Sequence, residues 1–291
     1  MVFQTTYELE AGPSAPSFDA YASAATAEYE AVIHDAESEA TLQHFLERNP
    51  CFLPGTWSPG KPSGNAPLHI AAISQPELPG LRSRKPDFMW IASDSARWYP
   101  MLIEIERPNK KLFRKDGVPT SEFTQARNQL AQWRSWLSEP SNVQKFIVDY
   151  GIPSDFVRLR VMQPHFILVY GRRAEFEGNA ELSKHRAALM PASDEDLVSL
   201  DRLRADSNCW NAMTVRACGH GRFKAMSVTP TFALGPVDAH RLSCIDGLDE
   251  VITADERISG DRRAFLTRRL EYWRAWGARA DPGVVNSWDR E

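Results

Sequence analysis

Residues 101–111 read MLIEIERPNKK. Met101, Leu102, Ile103 and Ile105 suit a strand, yet Glu104 and Glu106 stand two apart among them. Pro108 stops the run, and Lys110 and Lys111 follow it. In a strand, residues i and i+2 share a face, so Ile103 and Ile105 enter a core while the two acids share the other side. Two like charges held together near a buried strand end raise at least one carboxyl pKa unless a cation lies between them. A hard divalent cation fits that place, because Mg²⁺ takes carboxylate and carbonyl oxygens and keeps several waters.

Working outward, PDFMWIASDSARWYPMLIEIER (86–107) predicts two strands joined by a turn at SDSA, a hairpin. Asp87 lies seventeen positions before Glu104. In a hairpin the start of one strand adjoins the end of the next, so Asp87, Glu104 and Glu106 are expected to converge. TSEFTQARNQLAQWRSWLSE predicts the clearest helix, with Phe123, Ala126, Leu130, Trp133 and Leu137 as its apolar stripe. Upstream, DAESEATLQHFLERNPCFL predicts a helix ended by Asn49-Pro50, and residues 54–67 a loop rich in proline and glycine. NKKLFRKDGVPT reads as a basic loop turning at Asp116-Gly117, NVQKFIVDYG as a short helix, and HFILVYGR as a strand covered on both faces. Residues 174–189 and 193–206 read as helices, 221–236 as strands, and DRRAFLTRRLEYWRAWGARA as a last helix with Phe265, Leu266, Leu270 and Trp273 inward. These elements predict an α/β fold, a mixed sheet flanked by helices with a C-terminal extension. The expected divisions are an N-terminal arm over 1–34, a main domain over 35–205, and C-terminal strands with a basic, aromatic helix over 206–291, packed on the same domain.

The bulk numbers narrow the function classes. At 291 residues, 43% hydrophobic and 25% charged, the chain can bury a sizeable core. Its net charge of −4 argues against a broad, sequence-blind grip on nucleic acid and leaves room for a local basic patch. Four scattered cysteines without a CxxC pair read as reduced thiols. Cys218 and His220, with Cys209, His240 or Cys244 as partners, match no common zinc spacing. The N-terminus lacks a basic start and an apolar stretch, and no run reaches a membrane span. A cytoplasmic protein is expected.

Pro86-Asp87 followed by Glu104-Ile105-Glu106 resembles the signature of the PD-(D/E)xK phosphodiesterase superfamily. With FLERNPCFL before it, IERPNKKLF and KDGVPTSEF after it, and QARNQLAQW on the next helix, the chain resembles the Shedu nuclease family of bacterial anti-phage defence over roughly residues 35–205. The resemblance implies a restriction-endonuclease-like fold and Mg²⁺-dependent DNA cleavage, with Mn²⁺ as a substitute. It implies Asp87 and Glu104 as metal ligands, the Ile105 carbonyl as another, and Glu47 as a further ligand or neighbour. Glu106 would orient the attacking water or take its proton, and Gln125 and Gln129 would touch that water or the DNA backbone. Lys85 and the basic residues Lys110, Lys111, Arg114 and Lys115 would bind nucleic acid. The third motif position is usually lysine and here is Glu106, so Lys110 or Lys111 is a candidate for the missing charge. Self-association and a second defence protein are further expected partners. Two competing readings remain: a nuclease-like module that binds DNA or a protein without cutting, and a structural subunit whose acids only pair with Arg107 and Lys110.

Overall fold

The computed structural model describes residues 5–35, 39–55, 66–80, 85–279 and 284–291. The loop expected over 54–67 lies mostly outside them. In chain order the elements begin with α1 (Phe18–Asp35), α2 (Glu39–Arg48), β1 (Ala71–Ser74), β2 (Phe88–Ser93) and β3 (Arg97–Ile105). Helices α3 (Ser121–Ser138), α4 (Pro140–Asp149) and α5 (Ser154–Leu159) follow, then β4 (Val161–Met162), β5 (His165–Val169), α6 (Ala180–Ala188) and β6 (Glu195–Val198). The chain continues through β7 (Met213–Gly219), β8 (Arg222–Val228), α7 (Ala239–Leu242), β9 (Ile245–Asp246), α8 (Leu248–Ala254) and α9 (Gly260–Gly277). Among the described residues the strands form one mixed sheet, ordered β6-β5-β3-β2-β1-β7-β8-β9, with β4 paired to β3. The fold is α/β, with helices on the sheet's faces. No described helix is long and apolar enough to cross a membrane.

The expected hairpin is present. β2 and β3 pair antiparallel from Phe88↔Ile103 to Ser93↔Trp98 around the SDSA turn. β3 then pairs parallel with β5, Glu104 opposite Leu168. Alternation splits the hairpin between two cores. Phe88, Trp90, Ile103 and Ile105 pack with Tyr29, Phe45 and Leu46 of α1 and α2. Met89, Ile91 and Leu102 pack with Phe123, Leu130 and Trp133 of α3. The side of β3 that carries Glu104 therefore faces α3.

α3 is held from three directions. Its stripe of Phe123, Ala126, Leu130, Trp133 and Leu137 is buried as the periodicity predicts. On another side, Arg134 makes a two-pronged bond to Asp194, at 2.8 and 2.9 Å, and lies 4.8 Å over the Phe166 ring. At its start, Thr120 accepts the Phe123 N–H and donates to the Lys111 carbonyl at 2.8 Å. Thr120→Ala should cost about 1 kcal/mol, since it orphans a helix-start amide. A urea-unfolding midpoint identical to wild type would contradict this role.

Three readings are corrected. Residues 18–35, placed in an arm, form α1, and its Tyr29 is fully buried and donates to the Leu200 carbonyl at 2.9 Å. Residues 193–206 are not a helix. They hold β6, which pairs with β5, and a short 3₁₀ turn at Leu200–Arg202, because the β5 edge offers a ladder that outweighs helical propensity. β1, unread in the sequence, joins the hairpin to β7, so the sheet runs across the division expected at 205/206. The basic helix α9 turns Phe265, Leu266, Leu270 and Trp273 inward, as the sequence predicts. Trp273 and Trp276 are buried, Arg262 donates to the Pro13 and Phe232 carbonyls, and Arg269 donates to the Glu8 and Glu291 carbonyls. Those two arginines tie carbonyls near both chain ends and after β8 to α9.

Candidate functional site

At the end of the hairpin the strands open into a polar cleft of about 470 Å³. Glu39, Gln75, Lys85, Asp87, Glu104, Glu106, Lys110, Gln125 and Gln129 line it. Seven of these nine are residues to which the sequence assigns a role. Glu104 and Glu106 come from the β3 end, and Asp87 from just before β2. Gln125 and Gln129 come from α3, one turn apart, with Gln129 buried among the acids.

Asp87 is the best-defined group. Its N–H donates to the Ile103 carbonyl at 3.0 Å, and its carbonyl accepts from Gln75 at 2.8 Å. Its carboxylate accepts the Ile105 N–H at 2.7 Å. Burial pushes this carboxyl up to about 8, and the Glu39 and Glu106 charges push the same way. The Ile105 N–H and Lys110 oppose that rise. Gln75 sits at φ +46°, a conformation side-chain-bearing residues seldom adopt, and this strained residue lies on the rim of the cleft.

The expected convergence on one point is modified. Asp87, Glu104 and Glu106 surround one cleft, yet among the described residues no three His, Cys, Asp or Glu side chains form a ready-made metal cage. Glu106 is held by the Lys110 ammonium, with side chains only 12% and 20% exposed, and Asp87 is drawn onto the Ile105 amide. A Mg²⁺ site does not need an all-protein cage, since one or two carboxylates, retained waters and substrate phosphate complete its octahedron. The donors here fit that ion. They are carboxylates and amide oxygens, and among the described residues no His or Cys lines the cleft. A buried carboxyl raised by acidic neighbours is also one that a divalent cation would hold ionised.

Other assignments shift. Glu47 does not line the cleft. Its carboxylate accepts from Ser74 at 2.6 Å and from Gln43 at 3.1 Å, which places it behind β1. The acid this helix contributes is Glu39, eight residues earlier on the same stripe. The i, i+4, i+8 repeat of Glu39, Gln43 and Glu47 carried that signal, but which end reaches the strand ends depends on how α2 lies on the sheet. Lys85 lines the rim and pairs with Glu77. Lys111 and Lys115 are exposed, and Arg114 is exposed and paired with Asp116. Lys110 alone of the basic loop enters the cleft. Cys218 is exposed, and Cys51 and Cys209 are buried apart from the cleft.

A family model described as Shedu protein SduA, C-terminal, matches residues 36–203, more than half of the chain. The matched span runs from just before α2 through β6 and holds every residue of the cleft. No curated protein matches the chain.

Proposed function

We propose that this chain, which belongs to the Shedu family of anti-phage defence, uses the cleft as a Mg²⁺-dependent centre that hydrolyses DNA phosphodiester bonds. The observation that carries the reading is the joining of Asp87, Glu104 and Glu106 with two α3 glutamines in one polar cleft at the hairpin end. Asp87, Glu104 and the Ile105 carbonyl would hold the metal. A bound Mg²⁺ supplies a Lewis acid for the scissile phosphate and lowers the pKa of its water. Glu106 takes the proton of the attacking water, while Gln129 and Gln125 hold that water and the DNA backbone in line. Lys111 and Lys115, both exposed, and Lys85 on the cleft lining would neutralise the phosphates of a bound DNA backbone. Mn²⁺, with the same oxygen preference, should substitute.

The decisive experiment incubates purified protein with linear and circular duplex DNA, with Mg²⁺, with Mn²⁺ and with chelator. Cleavage with either metal and none with chelator is expected. Cleavage that persists in chelator, or no cleavage under any condition, overturns the reading. One observation favours the runner-up, a module that binds DNA without cutting. Glutamate stands where lysine is usual, and it is already engaged by Lys110.

A further inference from the structure

Of the two lysines that are candidates for the missing motif charge, Lys110 is the one that lines the cleft. It follows Pro108 in a basic loop, yet both flanks of that loop are pinned. The Lys110 N–H closes a turn onto the Arg107 carbonyl at 3.1 Å. Just beyond, the Leu112 and Phe113 amides donate to Glu175 at 3.0 and 2.9 Å, and both side chains are buried. The Thr120 N–H donates to the Leu112 carbonyl at 2.9 Å. Lys110 is thus set between two anchors, and the four-residue return carries its ammonium back over the strand end to Glu106. Lys111, the next residue, is exposed.

The charges around it are uneven. Glu39, Asp87, Glu104 and Glu106 line the cleft against Lys85 and Lys110. Lys85 has a 54% exposed side chain and lies on Glu77, whereas Lys110 is 20% exposed and within the acids. A phosphodiester entering this cleft needs a cation at its non-bridging oxygens, more so as negative charge grows there in the transition state. Lys110 is the protein cation placed to meet it.

We infer that Lys110 is a catalytic residue that exchanges partners, leaving Glu106 for a non-bridging oxygen of the scissile phosphate when DNA enters. This inference rests on the nuclease reading of the cleft. The exchange does two things at once. It places positive charge on the phosphate, and it frees the Glu106 carboxylate to accept a proton. In the step that follows, the water oxygen bonds to phosphorus as the bond from phosphorus to the departing sugar oxygen breaks. The water proton goes to Glu106, and the departing oxygen takes a proton from solvent. The products are a phosphate monoester and an alcohol.

The test pairs rate with binding. With Mg²⁺ and saturating DNA, Lys110→Ala should lower single-turnover cleavage about 10²- to 10³-fold, the size seen when one transition-state donor is removed. Lys110→Arg should stay within about tenfold of wild type, because it keeps the charge. In chelator, where no cleavage occurs, Lys110→Ala should reduce the slope of log affinity against log salt by about one, as for one lost phosphate contact. Lys145→Ala, an exposed lysine on α4, should change neither. Glu106→Gln should tighten DNA binding in chelator, and that gain should vanish in the Lys110→Ala background. Lys110→Met keeps the buried stem and replaces Lys110→Ala if the latter does not fold. Wild-type rate and slope in the neutral variant, or a Glu106→Gln gain that survives the loss of Lys110, overturn the inference and leave the nuclease reading standing. A wild type that cuts nothing with either metal overturns the nuclease reading instead, and the chelator measurements still decide whether Lys110 meets phosphate.

Discussion

Glu104→Ala is expected to abolish cleavage, by about 10³-fold or more, with phage protection lost and the fold intact. Glu104 is 9% exposed near the end of β3, paired with Leu168 of β5 and on the side facing α3. On the proposed reading its loss would remove a metal ligand, and with it both the polarised phosphate and the acidified water. A loss of about 4 kcal/mol of transition-state stabilisation already gives three decades. Stability should hold or rise without metal, because the substitution deletes one of several carboxylates lining a single cleft. Single-turnover cleavage, plaque counts and a thermal melt in chelator check the three parts. Undiminished cleavage by this variant would remove Glu104, and the site with it, from the chemistry. Glu106→Lys returns the commoner residue to the motif. If the wild type cuts nothing and this variant does, the fold has been retired from catalysis and the non-cutting reading holds.

The second large effect is on stability against pH. The Asp87 carboxyl is raised from an ordinary 3.8 to about 8, first by burial and then by Glu39 and Glu106. The folded state therefore holds a proton that the unfolded chain has released between those values. Stability must fall as pH rises through that window, by up to about 1.4 kcal/mol per pH unit. Below 3.8 both states are protonated, and above about 8 both are ionised, so the dependence ends at each side. Asp87→Asn keeps an oxygen for the Ile105 N–H and removes the titration. Its unfolding free energy in chelator should match wild type near pH 4 and exceed it near pH 9. An Asp87→Asn protein less stable than wild type at pH 9 would show that the buried charge is not the destabilising group.

How the chain and the fold divide this information is visible at single residues. Glu39 and Glu47 share one helical stripe, and local sequence has no means of choosing between them. The choice is made by the way α2 packs Leu42, Phe45 and Leu46 under the sheet, which points its first turn at the cleft. Lys110 and Lys111 are adjacent and chemically alike. Only the pinning of the loop by Glu175 and Thr120 sends one inward and leaves the other in water. Local sequence does not tell which arginines of α9 are internal; Arg262 and Arg269 become internal ties because the chain near residues 8–13 and 291 lies across them.

What the sequence by itself determined was everything local: the hairpin around SDSA, the shared face of Glu104 and Glu106, the apolar stripe of α3, and Asp87 seventeen residues upstream. Periods of 2 and 3.6 and a short turn act over a few residues, so they can be read in place. Tertiary structure alone decided the rest. β1 enters beside β2 and pairs with a strand about 140 residues later, and β6 forms where a helix was expected. Which donor each acid meets, the Ile105 amide for Asp87 and the Lys110 ammonium for Glu106, is likewise set by how the hairpin end and the loop after it pack.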